Sequence, residues 1–84
     1  MSGPYDTETD VHIEVRDIYA SHAKHGVMRA RTHHLITRVC AEHGLELGEY
    51  DREVLRWLAR QPPERVQVIA DLIDRASAAA RDRA

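Results

Sequence analysis

The chain has 84 residues, enough for one small domain, because domains typically run to about 100–150 residues and rarely fall below about 50. Its 12 basic and 14 acidic residues give a net charge of −2, whereas a typical nucleic-acid-binding protein is strongly basic. A run of about 18 apolar residues, which a membrane-spanning helix requires, is absent, and a single cysteine excludes an internal disulfide. We therefore expect one domain stabilised by burial alone, in a reducing compartment such as the cytoplasm, with no membrane partner.

The N-terminal segment is polar, contains glycine and proline, and has no periodic apolar face. It predicts a flexible lead-in over residues 1–9, without the features of a secretory signal, before a single helical domain over residues 10–82. Thr9 or Asp10 is the expected N-cap of the first helix, which should end at the His25-Gly26 pair. Its apolar face recurs at intervals of three and four. The members of this face are Val11, Val15, Ile18, Tyr19 and His22.

The same spacing recurs from Met28 to His43, where a second histidine–glycine pair indicates the end of a second helix. No favourable N-cap separates this helix from the first, because Val27 and Met28 are poor caps. A single long helix through Gly26 is therefore an open alternative, although an internal glycine costs a helix about 1 kcal/mol relative to alanine.

Two further segments follow a glycine-bracketed loop over residues 44–48. A third helix is expected to begin near Glu49 or Asp51 and to end at the double proline, because a residue before proline is pushed out of the α region. Pro63 suits the first turn of a fourth helix, whose apolar positions recur over residues 66–80. The fold class predicted from these segments is all-α, a compact bundle of three or four short helices.

One candidate metal site arises from two residue pairs with i,i+3 spacing, His22 with His25 and Cys40 with His43. Zinc binds nitrogen and sulfur ligands tetrahedrally, and short-spaced pairs build many structural sites. However, a lone cysteine on an apolar stripe is more often a core residue, and a histidine before a helix-ending glycine favours the helix C-terminus. We expect no cofactor and keep a zinc-stabilised domain as an alternative.

The sequence contains no recognisable catalytic constellation. Cys40 and His43 would lie within one helical turn, but no oxyanion hole and no glycine-rich phosphate motif accompany them. Asp71 and Asp74 are expected on a solvated helix face. We therefore expect a protein that is not an enzyme and has no small-molecule substrate.

A nucleic-acid partner is possible through the local basic excess over residues 24–38, which contain four basic side chains and no acid. Arg29, Arg31 and Arg38 would supply the phosphate contacts. The stretch 35–58 also has the outline of a helix-turn-helix, but its would-be recognition helix begins with acidic residues. Nucleic-acid binding is therefore an alternative to a protein partner.

Trp57 is the only tryptophan, and its spacing from Tyr50 and Val54 places it on the apolar stripe of the third helix. The core is its default position. Trp57 is instead a candidate interface residue if other side chains close the core, because tryptophan is enriched in interface hot spots. Val68 and Leu72, on the broad apolar stripe of the fourth helix, are further interface candidates.

Residues 50–76 carry a resemblance to a known group of proteins. The stretch Val54-Leu55-x-Trp57-Leu58-Ala59 is followed at helical spacing by further apolar positions and an arginine–alanine pair. The later members are Pro63, Val66, Ile69, Leu72, Ile73, Arg75 and Ala76. This pattern resembles small uncharacterised helical proteins of actinobacteria and actinobacterial phages, and the Arg-rich, Lys-poor composition agrees. The resemblance implies a helical fold and a source, and no catalytic residue.

These observations predict a small non-enzymatic binding or regulatory protein, an accessory factor of an actinobacterial phage or mobile element. It is expected to act through a helical face on a protein partner or by self-association as a homo-oligomer.

Overall fold

The computed structural model describes residues 3–21 and 23–83, and all regular secondary structure within them is α-helical. The four helices are α1 (Glu8–Tyr19), α2 (Val27–Glu42), α3 (Glu49–Leu58) and α4 (Pro63–Arg83). The predicted all-α fold is therefore confirmed, with four separate helices.

Helix α1 begins earlier and ends earlier than its sequence predicted. Its N-cap is Thr7, whose hydroxyl accepts a hydrogen bond from the Asp10 amide while the Asp10 carboxylate accepts one from the Thr7 amide. The expected N-cap at residue 9 or 10 is thus wrong, since Asp10 occupies the N3 position of a capping box. At the other end, the Ser21 hydroxyl donates to the Ile18 carbonyl at 2.6 Å, a local bond that competes with continuation of the helix.

Gly26 separates α1 from α2. Its φ of 77° lies in the left-handed region, so the backbone cannot run through it as a continuous α-helix. The alternative of one long helix is therefore wrong. Helix α2 ends at Glu42, followed by His43 as C-cap and Gly44 with a φ of 65°, which confirms the predicted histidine–glycine stop.

The third and fourth helices follow their predicted boundaries closely. The Asp51 carboxylate accepts a hydrogen bond from the Gly48 amide at 2.9 Å and caps the start of α3. Pro63 occupies the first position of α4, where its missing amide hydrogen costs nothing.

The core lies between α2 and α4, and α4 is the central helix. Its fully buried centre consists of Ile36, Val39, Cys40, Val66 and Ala70. Helix α1 packs against α4 through Val11, Val15 and Ile18. Helix α3 has no buried residue of its own and lies against α2, where Leu55 contacts the core.

The molecule is flat, with extents of 45 × 33 × 15 Å. Helix axes pack about 8–10 Å apart and Cα atoms lie about 2.3 Å from each axis, so the thinnest dimension corresponds to two packed layers of helices. The radius of gyration is 13.3 Å, against about 12 Å for a compact chain of this length. Within the described residues, no helix is long and apolar enough to cross a lipid bilayer.

Candidate functional site

Helix α3 exposes a row of large apolar side chains. Tyr50 is 75% exposed, Val54 38% and Trp57 55%, and their spacing of four and three places them on one side of the helix. Leu55 and Leu58, on the adjacent side, are half-buried towards the core. The expectation that Trp57 lies in the core is wrong, because the apolar stripe of α3 is wider than the part of α3 that packs against α2 and the core.

Charged side chains surround this apolar row. The depression around it has a volume of about 540 Å³ and is lined by six residues, here called the α3 face: Tyr50, Glu53, Val54, Arg56, Trp57 and Arg60. The acidic member, Glu53, lies in the middle of α3, whereas Arg56 lies in its last turn and Arg60 just beyond its C-terminal end. An apolar centre with a charged rim is the usual composition of a protein interface.

The other two predicted interface residues lie elsewhere. Leu72 is exposed on α4, whereas Val68 is half-buried and lines a depression between the N-terminal segment and α4, together with Tyr5 and Val11. Trp57 and Val68 therefore line different depressions.

A second candidate surface is the groove between α2 and α3, here called the α2–α3 groove. Its volume is about 490 Å³, and its apolar lining includes Leu45, Leu47 and Leu55. The basic side chains that line it are His33, His34, Arg38, Arg52 and Arg56. No carboxylate among the described residues lines the groove, although acidic residues outnumber basic ones in the chain.

The three arginines of the nucleic-acid alternative do not form one surface free of acidic groups: Arg31 and Arg38 line one depression, together with Glu14 and Asp17. The Arg31 guanidinium donates to the Asp17 carbonyl at 3.1 Å and lies 3.8 Å from the Asp17 carboxylate. Arg38 pairs with Glu42 at 3.3 Å. Arg29 lies two residues from Arg31 and thus on a different side of α2. Sequence analysis missed Arg52 and Arg56, whose i,i+4 spacing on α3 was the available signal.

The candidate metal ligands have separate environments. Cys40 is buried in the core, and burial raises the pKa of its thiol, which disfavours the thiolate that a metal or a nucleophilic step needs. His43 Nε2 lies 2.9 Å from an Asp74 carboxylate oxygen, and His25 is exposed in the α1–α2 turn. His22 lies outside the described residues. Within residues 3–21 and 23–83, no group of three or more potential ligands is placed to hold a metal ion.

A polar cluster around the buried carboxylate of Glu64 connects α1 to α4. Tyr19 donates to Glu64 Oε1 at 2.6 Å, and His12 Nδ1 lies 2.8 Å from Glu64 Oε2. Burial acts to raise the pKa of Glu64, but the contacts with Tyr19 and His12 outweigh it and hold the pKa below its ordinary value. The same bond to Glu64, with burial, raises the pKa of Tyr19 to about 12.

Asp71 is fully buried, so its expected position on a solvated helix face is wrong. Its carboxylate accepts a hydrogen bond from Arg75 Nε at 2.7 Å and one from the Gly3 amide at 3.3 Å. Asp74 is 43% exposed and contacts His43. Asp71 thus joins the N-terminal segment to the central helix.

Comparisons with protein families, curated proteins and solved structures give no match to the chain. Support for a function therefore comes from the residues of the candidate surfaces alone.

Proposed function

We propose that the chain is a small non-enzymatic binding protein that acts through the α3 face, by self-association as a homo-oligomer or on another protein. The observation that carries this proposal is the exposure of Tyr50, Val54 and Trp57 in one row. Contiguous exposed apolar residues with a polar rim are typical of interaction sites, and tryptophan and tyrosine are enriched among the residues that dominate binding energy.

The total exposed surface supports a partner. The chain exposes 6033 Å², whereas a monomeric protein of 9.6 kDa exposes about 5100 Å². The excess of about 900 Å² is close to the roughly 800 Å² that each partner buries in a standard interface. Part of the excess surface comes from the exposed end of α4, residues 79–83.

The charge order along α3 favours a second copy as the partner. In an antiparallel pair of α3 helices related by a twofold axis, Glu53 of one copy faces Arg60 of the other, and Trp57 lies near the centre. Such an isologous contact is self-complementary, because the Glu53 carboxylate of each copy meets the Arg60 guanidinium that follows α3 in the other. The biological setting, an accessory factor of an actinobacterial phage or mobile element, rests on the resemblance over residues 50–76 alone.

Sedimentation equilibrium over a concentration series tests the proposal. We expect a monomer–dimer equilibrium that Trp57→Ala weakens by about 2 kcal/mol or more, the loss typical of a hot spot. Ile13→Ala is the matched control, since Ile13 is 59% exposed on α1 and should leave association unchanged. Equal losses in both variants would contradict the assignment of the α3 face.

A charge exchange tests the antiparallel geometry. Glu53→Arg and Arg60→Glu should each weaken association, because each places like charges opposite one another across the twofold axis. The double variant restores the pairing and should recover the wild-type dissociation constant. Failure of the double variant to recover would contradict this arrangement.

A further inference from the structure

The α2–α3 groove concentrates positive charge that the protein does not neutralise. Arg52 and Arg56 lie one turn apart on α3, and no side chain in the described parts of the chain forms an ion pair with either of them. Like charges at i,i+4 destabilise a helix, and both side chains line the same groove. Arg38 lies across the groove on α2, held only by an exposed i,i+4 pair with Glu42, which is a weak interaction. Three guanidinium groups are therefore available to an anion.

The groove is half-open to solvent, and part of its lining is apolar. Its volume of about 490 Å³ lies within the range of small-molecule sites, about 300–1000 Å³. Leu45, Leu47 and Leu55 provide contact for an apolar or heterocyclic body. A phosphate ester with a ring system combines these two properties, because arginine binds phosphate oxygens in a bidentate geometry while the ring packs on the leucines.

We propose that the α2–α3 groove binds a small phosphate-bearing ligand of nucleotide size, with Arg38, Arg52 and Arg56 around the phosphates. This site goes beyond the association surface on α3 and does not depend on it. One residue, Arg56, lines both surfaces.

A compact ligand is favoured over a nucleic-acid strand because the basic track is short. The next groove along α2 shares Arg38 and His34 with this one, but Glu14 and Asp17 line it beside Arg31. Past Arg56 on α3, the adjoining depression is lined by Glu49 and Glu53. A strand that tracked the phosphate contacts beyond the groove would meet these carboxylates, whereas one polyphosphate group would not.

Calorimetric titration with three probes tests the proposal: ADP, pyrophosphate and adenosine. We expect ADP to bind saturably with one site per chain at low salt, pyrophosphate to bind more weakly and adenosine not to bind. Binding should weaken as salt rises, since screening reduces the attraction of exposed charges. Proton NMR signals of His33 and His34, which line the groove, should shift during the ADP titration.

The double variant Arg38→Gln/Arg52→Gln should raise the ADP dissociation constant at least about tenfold, which corresponds to the loss of one good charged contact. This variant leaves Arg56 and the rest of the α3 face intact. Loss of ADP binding can therefore be distinguished from loss of self-association. The control Arg29→Gln/Arg81→Gln removes the same charge from exposed positions outside the groove and should leave the constant unchanged. Thermal unfolding of both variants verifies that the fold is retained.

Three results would overturn the proposal: no saturable binding of ADP or pyrophosphate at low salt, equal losses in the groove variant and its control, or tighter binding of an oligothymidylate or a polyglutamate peptide than of ADP. The last result would identify a nucleic-acid strand or an acidic peptide as the occupant.

Discussion

Glu64 lies at the second position of α4, and its carboxylate contacts two side chains of α1, Tyr19 and His12. Negative charge at this position also interacts favourably with the positive end of the α4 dipole. The residue therefore combines three interactions that each favour its ionised form. This cluster orients α1 against the central helix.

Replacing Glu64 with glutamine should destabilise the fold by about 1.5–3 kcal/mol near neutral pH, because the buried hydrogen bonds lose their charge. The folded-state pKa of Glu64 is lowered, so its contribution is full above its ordinary pKa of about 4.5 and is lost as the pH falls through the lowered value. Urea unfolding of wild type and variant should thus show a difference that shrinks in acid. Glu46→Gln, at an exposed loop position, is the control, and a difference constant with pH would contradict this assignment.

Cys40 should be protected from thiol reagents in the folded protein. It is buried in the core and burial raises the pKa of its thiol, so both access and thiolate formation are unfavourable. A disulfide reagent such as DTNB should react at the rate of unfolding in native buffer and immediately in urea. Immediate reaction in native buffer would show that the core around α2 is open.

The sequence predicted that Cys40 lies in the core, but it did not predict that polar residues of α4 are buried. Glu64, Gln67 and Asp71 follow one another at intervals of three and four, so a polar stripe was visible. A polar stripe normally faces solvent, and only the arrangement of α1 and the N-terminal segment over α4 buries this one. Its burial depends on contacts between distant residues, which periodicity does not encode.

At the scale of elements, the α1–α2 boundary depends on the backbone of Gly26. The left-handed conformation costs an L-residue about 1–2 kcal/mol. Replacing glycine also lowers the conformational entropy of the unfolded chain, and this offsets part of the loss of stability. Gly26→Ala should therefore destabilise the fold by about 1 kcal/mol, although nothing lies within 4 Å of the added Cβ.

Gly26→Asn is the matched control, because asparagine adopts the left-handed conformation more readily than alanine does. It should change stability by less than about 0.5 kcal/mol in chemical denaturation. Equal stability of the two variants, or a gain in helix content by circular dichroism in Gly26→Ala, would contradict the role of Gly26 as a helix break.

The sequence predicted α2, α3 and α4 to within a few residues because glycines and a double proline delimit them. It misplaced both ends of α1. Thr7, Thr9 and Asp10 are all good N-cap residues, and the choice among them depends on the capping box that Thr7 and Asp10 form. Likewise, the apolar stripe of α3 predicted its helical face but not its exposure, since exposure depends on which neighbours reach it.

For the whole molecule, the position of α3 explains why apolar surface is left uncovered. Helix α3 has no buried residue, and Tyr50, Val54 and Trp57 stay exposed beside its contact with α2. Domains usually bury each apolar stripe against another element, and small domains commonly gain stability by oligomerisation. Association through the α3 face would supply the missing cover.

Self-association through the α3 face is tested most simply with Trp57, the only tryptophan, as a reporter of its own burial. Its emission and its quenching by acrylamide are measured over the concentration series in which sedimentation gives the mass. We predict that emission shifts to shorter wavelength and quenching falls over the range in which the mass doubles from 9.6 kDa. A mass of 9.6 kDa with unchanged emission at every concentration would contradict self-association through the α3 face.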